Sequence, residues 1–430
     1  MFSNDIRLIA ESHPQYLDAV KENYKWNFVL MALDTSFFSF ALGVLSHDTI
    51  LPYFASQLTS SKVLVGLIPA IYYLGYFFPQ LLGAFLVHSR ATRKWPIFWI
   101  ALSERLGIFL IAALAQALDL FTGSQALILL YGSYALFSVT NGLIGPAYAD
   151  FASKNIIRRR GLFYGVTHGL GNLFGFAAGL TATYFLEHYA YPINLRYLFW
   201  IGFASSFISP LLIANFREVP FPVERLSVSL KAFLRNTPAH AAGAPGFLRF
   251  MLVRTALGVG ILANAFYALY ALEQFDLQEG YLGVFTVILL LSQSAFGLFW
   301  GWLGDRVGFK IVYVLTAGMV AAMGALALSG VGSWAFYVIA ALIGGFYAAI
   351  RTGDPNMIFE LAPPAETSRF VGISNTFVAP IMTLTAVSGG FIAERFSYEA
   401  LFGAVLLAGL GTLVLTILYM PNPRREMSPV

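Results

Sequence analysis

Twelve long apolar stretches alternate along this sequence with short polar segments. Each holds roughly 17 to 25 residues, which is the length that an α-helix needs to cross the hydrocarbon core of a bilayer. They span residues 26–46, 63–87, 96–118, 125–147, 162–185, 197–214, 250–272, 281–303, 311–330, 334–350, 370–393 and 400–420. The pattern predicts an all-α membrane protein with twelve transmembrane helices.

The composition excludes a water-soluble fold. Of the 430 residues, 58% are hydrophobic and only 11% are charged, whereas soluble proteins carry about a quarter charged residues. The chain has no cysteine and only six histidines, each well separated from the next. Disulfides, thiolate metal sites and cysteine nucleophiles are therefore excluded, and no metal or cofactor is expected. The net charge of +4 is too small to indicate a nucleic-acid partner.

The distribution of Lys and Arg predicts the orientation in the membrane. If the N-terminus lies in the cytoplasm, the inner connections hold 21 of the 26 basic residues, and the outer loops hold only Lys62, Arg196 and Arg395. Short loops rich in Lys and Arg stay in the cytoplasm. We therefore expect a multi-pass protein of the inner (cytoplasmic) membrane with both termini in the cytoplasm.

The longest connection, 215–249, follows the sixth span and divides the spans into two sets of six. The expected organisation is a cytoplasmic N-terminal segment, a first six-helix bundle, a cytoplasmic linker, a second six-helix bundle and a cytoplasmic tail. Their bounds are 1–25, 26–214, 215–249, 250–420 and 421–430. In the first of these segments, Tyr16 and Val20 fall on one face, which suggests a short helix along the membrane surface.

An internal repeat supports the division into two halves. The connection after the eighth span contains Gly301, Asp305, Arg306, Gly308 and Lys310, in the pattern G-x-x-x-D-R-x-G-x-K. A degraded copy follows the second span, 218 residues earlier, and keeps its glycine and two basic residues. Those three are Gly83, Arg93 and Lys94.

Twelve spans in two halves with this loop motif resemble the major facilitator superfamily (MFS) of secondary transporters, over about residues 26–420. The resemblance implies two pseudo-symmetric six-helix bundles that rock about a site near the membrane midplane. It also implies a cytoplasmic gate, in which a carboxylate at one helix end contacts the start of another helix. By pseudo-symmetry we expect Asp305 to face Arg160 and Gly161.

Four charged residues lie within the predicted spans, where contact with lipid would cost several kcal/mol. They are Asp34, Glu104, Arg105 and Arg254. Asp34 and Arg254 occupy similar places in the first helix of each half, which suggests an ion pair across the halves that forms when one face closes, although a purely structural role is nearly as well supported. Glu104 and Arg105 point about 100° apart on a helix, so we expect them not to pair with each other.

Asp34 is the leading candidate for proton coupling, because it is a lone carboxylate among apolar neighbours. Glu104 and His168 are further candidates, but a structural tie for Glu104 is at least as well supported and a packing role for His168 is favoured. Candidates for substrate contact are Asn141, Asn172, Asn264, Asn375, Tyr76 and Tyr267.

The sequence therefore favours a secondary active transporter that moves a small, amphipathic or partly apolar molecule by alternating access. Export is preferred on the aromatic content, and coupling to protons through the buried carboxylates is a separate expectation. Uptake of a small polar solute and a non-transporting receptor or assembly factor on the same scaffold remain alternatives. An enzyme is disfavoured, because the sequence lacks H-E-x-x-H, G-x-S-x-G and G-x-x-x-x-G-K. A small-molecule substrate, the bilayer and protons are the expected partners, and the protein is expected to act as a monomer.

Overall fold

The computed structural model describes residues 12–88, 90–156, 160–222, 245–361 and 367–422. Most of the predicted linker and tail, and the first eleven residues, lie outside these ranges. The bounds proposed for those segments therefore stay predictions.

Fifteen α-helices lie in the described residues, and no strand is found among them. The first bundle comprises α1 (Pro14–Val44), α2 (Ile50–Leu58), α3 (Lys62–Phe77), α4 (Gln80–His88), α5 (Lys94–Gln116), α6 (Gly123–Asn155), α7 (Arg160–His188) and α8 (Ile193–Ala214). The second comprises α9 (Pro245–Leu257), α10 (Asn264–Gln274), α11 (Gly280–Val307), α12 (Phe309–Leu328), α13 (Trp334–Leu361), α14 (Thr367–Arg395) and α15 (Tyr398–Tyr419).

These helices build the twelve predicted spans, three of which are interrupted. The pairs α1 with α2, α3 with α4, and α9 with α10 each form one broken span. Within the described residues, eleven segments are long and apolar enough to cross a membrane. The twelfth span is α7, which has 29 residues but a lower hydropathy, because its sequence is rich in glycine and contains His168 and Asn172.

The break between α3 and α4 has a local cause. Pro79 supplies no N–H, so the helix loses a backbone hydrogen bond there. A Cβ at Gly142 of α6 would lie 2.4 Å from the Tyr76 carbonyl oxygen and 2.7 Å from Cγ of Pro79. Glycine at 142 therefore lets α6 pack directly against the bend.

The two bundles repeat one set of helix contacts. In the first, α3 packs on α6, α5 on α6 and α8, and α1 on α8. In the second, α11 packs on α13, α12 on α13 and α15, and α9 on α15. Most of the contact between the bundles comes from two helix pairs, α3 with α14 and α7 with α11. A crevice can therefore form between the bundles along the faces that these two pairs leave uncovered.

The chain path gives the molecule two ends. We call the end at which α1 begins and α15 finishes the terminal end, and the end at which α3 begins the opposite end.

Two sequence predictions are corrected by the helix bounds. Residues 14–25 are not a separate surface helix, because α1 is continuous from Pro14 and the Tyr16 ring packs edge-on against Phe221 at 5.5 Å. The tenth span does not end at residue 350, because α13 continues to Leu361. Arg351 and Asp354 are therefore helical residues rather than loop residues.

Candidate functional site in the crevice between the bundles

The bundles are closed against each other at the opposite end. Glu394 of α14 accepts hydrogen bonds from the Ser61 hydroxyl at 2.6 Å and the Val63 N–H at 2.9 Å. On the other side of the molecule, the Asn194 side chain donates to Glu279 at 2.6 Å. These bonds join helix ends of the first bundle to helix ends of the second.

Glycines bring α7 and α11 into backbone contact near the opposite end. A Cβ at Gly283 of α11 would lie 2.3 Å from the Thr183 backbone nitrogen, and one at Gly179 of α7 would lie 3.2 Å from the Val287 backbone nitrogen. Small residues allow such close approach of helices in membranes.

The same two helices are separated near the terminal end. Each carries two more glycines there, and a Cβ added at any of the four would meet no atom within 4 Å. These are Gly165 and Gly169 of α7 and Gly297 and Gly301 of α11. The crevice is therefore closed at the opposite end and open at the terminal end.

A buried carboxylate closes the inner end of the crevice. Asp48 lies in the break between α1 and α2, is 2% exposed, and accepts hydrogen bonds from the Tyr347 hydroxyl at 2.9 and 3.0 Å. The Tyr347 hydroxyl also lies 2.9 Å from that of Tyr73 and 3.0 Å from the Asn264 amide nitrogen. His47 Nε2 is 3.6 Å from Asp48. This cluster joins both bundles through hydrogen bonds.

Three rings form a ladder along the first-bundle wall of the crevice. The imidazole of His47 stacks on Tyr72 at 4.1 Å, with 16° between the ring planes. Tyr72 stacks in turn on Tyr76 at 5.4 Å, with 5° between the planes. All three side chains are partly exposed. The ladder therefore runs from the Asp48 cluster toward the terminal end.

Arg351 of α13 faces this wall from the second bundle. Its side chain is exposed, and its charge acts on Tyr72, Tyr76 and His168, all of which belong to the first bundle. It lies one helical turn from Tyr347, so both side chains are on one face of α13. The second-bundle wall thus presents a guanidinium to the ladder.

The charged residues predicted within the first bundle form one buried cluster. The Asp34 carboxylate accepts a hydrogen bond from Ser209, and the guanidinium of Arg105 donates to the same Ser209 hydroxyl at 2.6 Å. Arg105 also forms an ion pair with Glu104, and its guanidinium lies 4.6 Å from the Phe38 ring centre. The expectation that Glu104 and Arg105 would not pair is wrong, because the long arginine side chain folds back toward its neighbour.

The predicted ion pair between Asp34 and Arg254 is not formed in the conformation described, in which the terminal end is open. Arg254 donates to Asp354 at 2.5 Å and to Asn375 at 2.7 Å. It also donates to the Ser374 hydroxyl, and Asp354 accepts from the Tyr313 hydroxyl. Arg254 is thus neutralised inside the second bundle, whereas Asp34 is held by a hydroxyl group of its own bundle.

The remaining predicted contact residues fall in different environments. His168 and Tyr76 lie at the crevice near Arg351. Asn375 donates to the Gln80 side-chain oxygen across the bundles at 2.7 Å. The structure contradicts a crevice position for Tyr267, which is fully buried and stacks on Phe402 at 5.3 Å inside the second bundle.

The three predicted asparagines differ in exposure. Asn264 joins the Asp48 cluster through its amide nitrogen, while its side-chain oxygen is buried without a hydrogen-bond partner in the described structure. Asn141 is buried on α6, and Asn172 is partly exposed on α7. Within the described ranges, no three His, Asp or Glu side chains are grouped closely enough to hold a metal ion.

The loop motif of the second half makes a tight turn between α11 and α12. Gly308 has a φ of 99°, which a residue with a side chain rarely adopts. Arg306 stacks over Trp302 at 4.9 Å, Lys310 donates to the Ile417 carbonyl at 2.9 Å, and Asp305 is exposed. The side chains of Arg160 and the following glycine lie outside the described part, so the predicted gate contact stays a prediction.

The degraded copy of the motif holds the first bundle together. Arg93 is 1% exposed and donates to Asp150 at 2.5 Å, and Lys154 donates to the same carboxylate. The backbone N–H of Arg93 donates to Glu218 at 2.7 Å. Burial raises the pKa of the Glu218 carboxyl, against the opposing effect of its backbone donors. A Cβ at Gly83 would lie 2.2 Å from the Leu143 carbonyl oxygen, so this glycine permits close packing on α6.

Comparison with known proteins agrees with this architecture. The family model of the Major Facilitator Superfamily matches residues 250–430. The second half of the chain therefore matches the superfamily that the loop motif indicated. The first half of the chain shows the same fold by its repeated helix packing. Superfamily members are membrane transporters, which agrees with the resemblance inferred from the loop motif.

Individual relatives are distant. A tetracenomycin C resistance and export protein of Streptomyces glaucescens is 26% identical over 152 residues, which cover 35% of this chain and only 27% of that protein. A mutant of the nucleoside transporter NupG has a TM-score of 0.71 at 15% identity, covering 92% of this chain and 99% of that one. A bacterial homologue of the iron transporter ferroportin, in an inward-facing state, has a TM-score of 0.67 at 14% identity, covering 92% and 98%.

Sequence reasoning missed three residues of the crevice and its supports. Asp48 was placed in an outer loop, and Arg351 and Asp354 were placed beyond the tenth span. Gly353 and Pro355 interrupt the helical pattern shortly after residue 350, so the sequence favours an end there, whereas α13 continues through Pro355. No signal in the sequence marks Asp48 either, because its hydrogen-bond partner Tyr347 lies 299 residues away.

Proposed function

We propose that this MFS protein is a secondary active transporter that works by alternating access and is open to the cytoplasm in the conformation described. The observation that carries the proposal is the contrast between the two ends of one helix pair. Helices α7 and α11 touch through backbone atoms at Gly283, whereas a Cβ added at Gly169 or Gly297 would meet no atom within 4 Å. A pair that is closed at one end and open at the other is what rocking of two bundles requires.

The cytoplasmic position of the terminal end rests on the excess of Lys and Arg in its connections. The proposed substrate is a small, partly apolar molecule, because stacked aromatic rings cover one wall of the crevice. The short match to an export protein supports export as the direction.

Proton coupling is proposed on the buried carboxylates. Asp34 and Asp48 are both within reach of hydroxyl groups rather than directly paired with a lysine or arginine. A carboxylate that lacks a fixed counter-charge can exchange a proton as its surroundings change. Asp48 is the better placed of the two, because its partner Tyr347 belongs to the other bundle.

Accessibility labelling in intact cells tests alternating access, and the cysteine-free chain provides a clean background. His168→Cys should react with a maleimide reagent that reaches the cytoplasmic side, because residue 168 is exposed at the open end. Thr286→Cys should be protected in this conformation, because Thr286 is 2% exposed and its hydroxyl lies 2.7 Å from that of Thr49 across the bundles. It should react with an impermeant reagent from outside whenever the opposite end opens.

Asp119→Cys is the matched control, because its side chain is 80% exposed at the opposite end and lies outside the crevice. It should react from outside under all conditions. If position 286 stays protected while 168 stays reactive in every condition tried, including an imposed proton gradient, the protein does not alternate. That result would favour the receptor or assembly-factor alternative.

A further inference from the structure

An exposed arginine at membrane depth has no partner among the residues that the structure describes. Arg351 lies 17 residues after the start of α13, or about 25 Å along the helix. None of the described residues forms a hydrogen bond or ion pair with it. A charge at such depth is costly unless it faces water or a partner, and it marks a functional site by default. The open crevice supplies the water and leaves the guanidinium free for a ligand.

The wall opposite Arg351 is aromatic and carries unused hydroxyl groups. Tyr72 and Tyr76 are stacked in parallel, with their ring centres 5.4 Å apart. Among the described residues neither hydroxyl has a hydrogen-bond partner, and neither is buried away from solvent. Parallel rings of this kind bind another planar ring by stacking, and their hydroxyl groups add polar contacts at the edge.

Nearby carboxylates do not cancel the positive charge of Arg351. The charge of Glu104 also acts on Tyr72 and Tyr76, but Glu104 is completely buried and forms an ion pair with Arg105. Asp48 is 2% exposed and accepts hydrogen bonds from Tyr347. The charge that the crevice presents to a ligand is therefore positive, and a narrow crevice with low-dielectric walls strengthens its field.

We infer that the crevice binds a planar aromatic anion, with its ring stacked on Tyr76 at the end of the ladder and the anionic group held by Arg351. The inference rests on the proposed transport function and narrows its substrate class. A guanidinium binds a carboxylate or sulfonate through two parallel hydrogen bonds, which fixes the orientation of the ring beside it. Neutral aromatic molecules lack this contact, and aliphatic anions lack the stacking.

Binding of four small probes to the purified protein tests the inference. The probes are 2-naphthoate, its neutral amide, the 2-naphthylmethylammonium cation and cyclohexanecarboxylate, measured by calorimetry at low salt. We expect 2-naphthoate to bind at least about tenfold more tightly than each of the others. Arg351→Gln should weaken 2-naphthoate binding by about tenfold or more and leave the amide unchanged. Tyr76→Leu should weaken the binding of 2-naphthoate and of its amide.

Arg395→Gln is the matched control, because Arg395 is exposed at the opposite end, outside the crevice. Arg395→Gln should bind each probe as tightly as the unsubstituted protein does. The inference is overturned if none of the probes binds, if the cation binds as tightly as the anion, or if Arg351→Gln binds 2-naphthoate normally. Labelling of Thr286→Cys distinguishes this result from failure of the transport proposal. If the accessibility of position 286 changes between conditions but no anion binds, only the proposed ligand class is wrong.

Discussion

At the scale of single residues, the structure pairs almost every charge that the sequence places inside the membrane. Arg254 is neutralised by Asp354 within the second bundle, and Arg105 by Glu104 within the first. A buried pair adds little net stability compared with an apolar core, but removal of one partner leaves a charge stranded in low dielectric. Arg351 is the contrasting case, since it is charged and exposed to the crevice.

Asp354→Asn should destabilise the protein strongly. Arg254 would keep its charge and lose its ion-pair partner at 2.5 Å. We expect a loss of about 3–5 kcal/mol in the free energy of unfolding, measured as a lower thermal transition in detergent.

The control for this loss is Asp119→Asn, which breaks the ion pair with Arg196 at a site where Asp119 is 80% exposed. Exposed pairs contribute about 0–1 kcal/mol, so this variant should unfold near the unchanged temperature. Replacing both buried partners, as Arg254→Met with Asp354→Leu, should recover part of the stability. Equal losses in Asp354→Asn and Asp119→Asn would contradict the structural role of the buried pair.

At the scale of helices, glycine decides how close the bundles come. Helix α7 is the least apolar of the twelve spans, and its glycines do two different things. Gly179 sits in backbone contact with α11 near the opposite end, whereas Gly169 faces open space near the terminal end. Glycine therefore permits close contact between the helices at one end and leaves open space at the other.

Addition of a single methyl group should open the closed end. Gly283→Ala places a Cβ 2.3 Å from the Thr183 backbone nitrogen, and a backbone atom cannot move aside as a flexible side chain can. We expect α7 and α11 to separate near the opposite end, so that a cysteine at position 286 reacts several-fold faster with an impermeant reagent.

Gly297→Ala is the matched control on the same helix, because a Cβ there meets nothing within 4 Å. It should leave the labelling rate at position 286 unchanged. If the two alanine variants behave alike, contact between the helix backbones does not hold the opposite end closed.

At the scale of the whole molecule, two bundles that are each internally neutralised meet at a surface of small residues and hydrogen bonds. The bonds that cross between them at the opposite end, such as Ser61 to Glu394, are exposed to water. Exposed polar contacts contribute little net free energy. The closed state is thus held by weak contacts that a conformational change can break.

Locking that end should stop alternation. Ser61 and Glu394 contact each other with 2.6 Å between their oxygens, so the double variant Ser61→Cys with Glu394→Cys should cross-link under oxidising conditions. Thr286→Cys in this background should then become permanently protected, and a reducing agent should restore its reactivity. Ser61→Cys alone should have no effect. Persistent labelling of position 286 in the cross-linked protein would exclude movement of the bundles about this contact.

Much of the fold could be predicted from the order of apolar stretches. The twelve spans, their division into two sets of six and the superfamily were confirmed by the helices and the family model. Helix ends were less predictable. The tenth span continues past residue 350 because Arg351 faces a crevice and Asp354 is paired, so neither charge has to leave the membrane.

The candidate site could be predicted only in part. Asp34, Glu104 and Arg254 were recognised as buried because a charge within an apolar stretch must avoid lipid. Their partners were not predictable, since Ser209 and Asp354 lie 175 and 100 positions away in the chain. Asp48 was not predicted as a site residue. A break after α1 looks like a loop in the sequence, and the contact with Tyr347 is visible only in the structure.

The sequence by itself determined that the protein lives in a bilayer, that it crosses it as two sets of six helices, and that the superfamily motif lies between α11 and α12. These properties follow from local hydropathy and spacing, which depend on neighbours in the chain. Only the tertiary structure decided which end of the crevice is closed, which partners neutralise each buried charge, and that Arg351 faces Tyr72 and Tyr76. Those properties depend on contacts between helices far apart in sequence, whose rotations and separations are set by packing rather than by any local pattern.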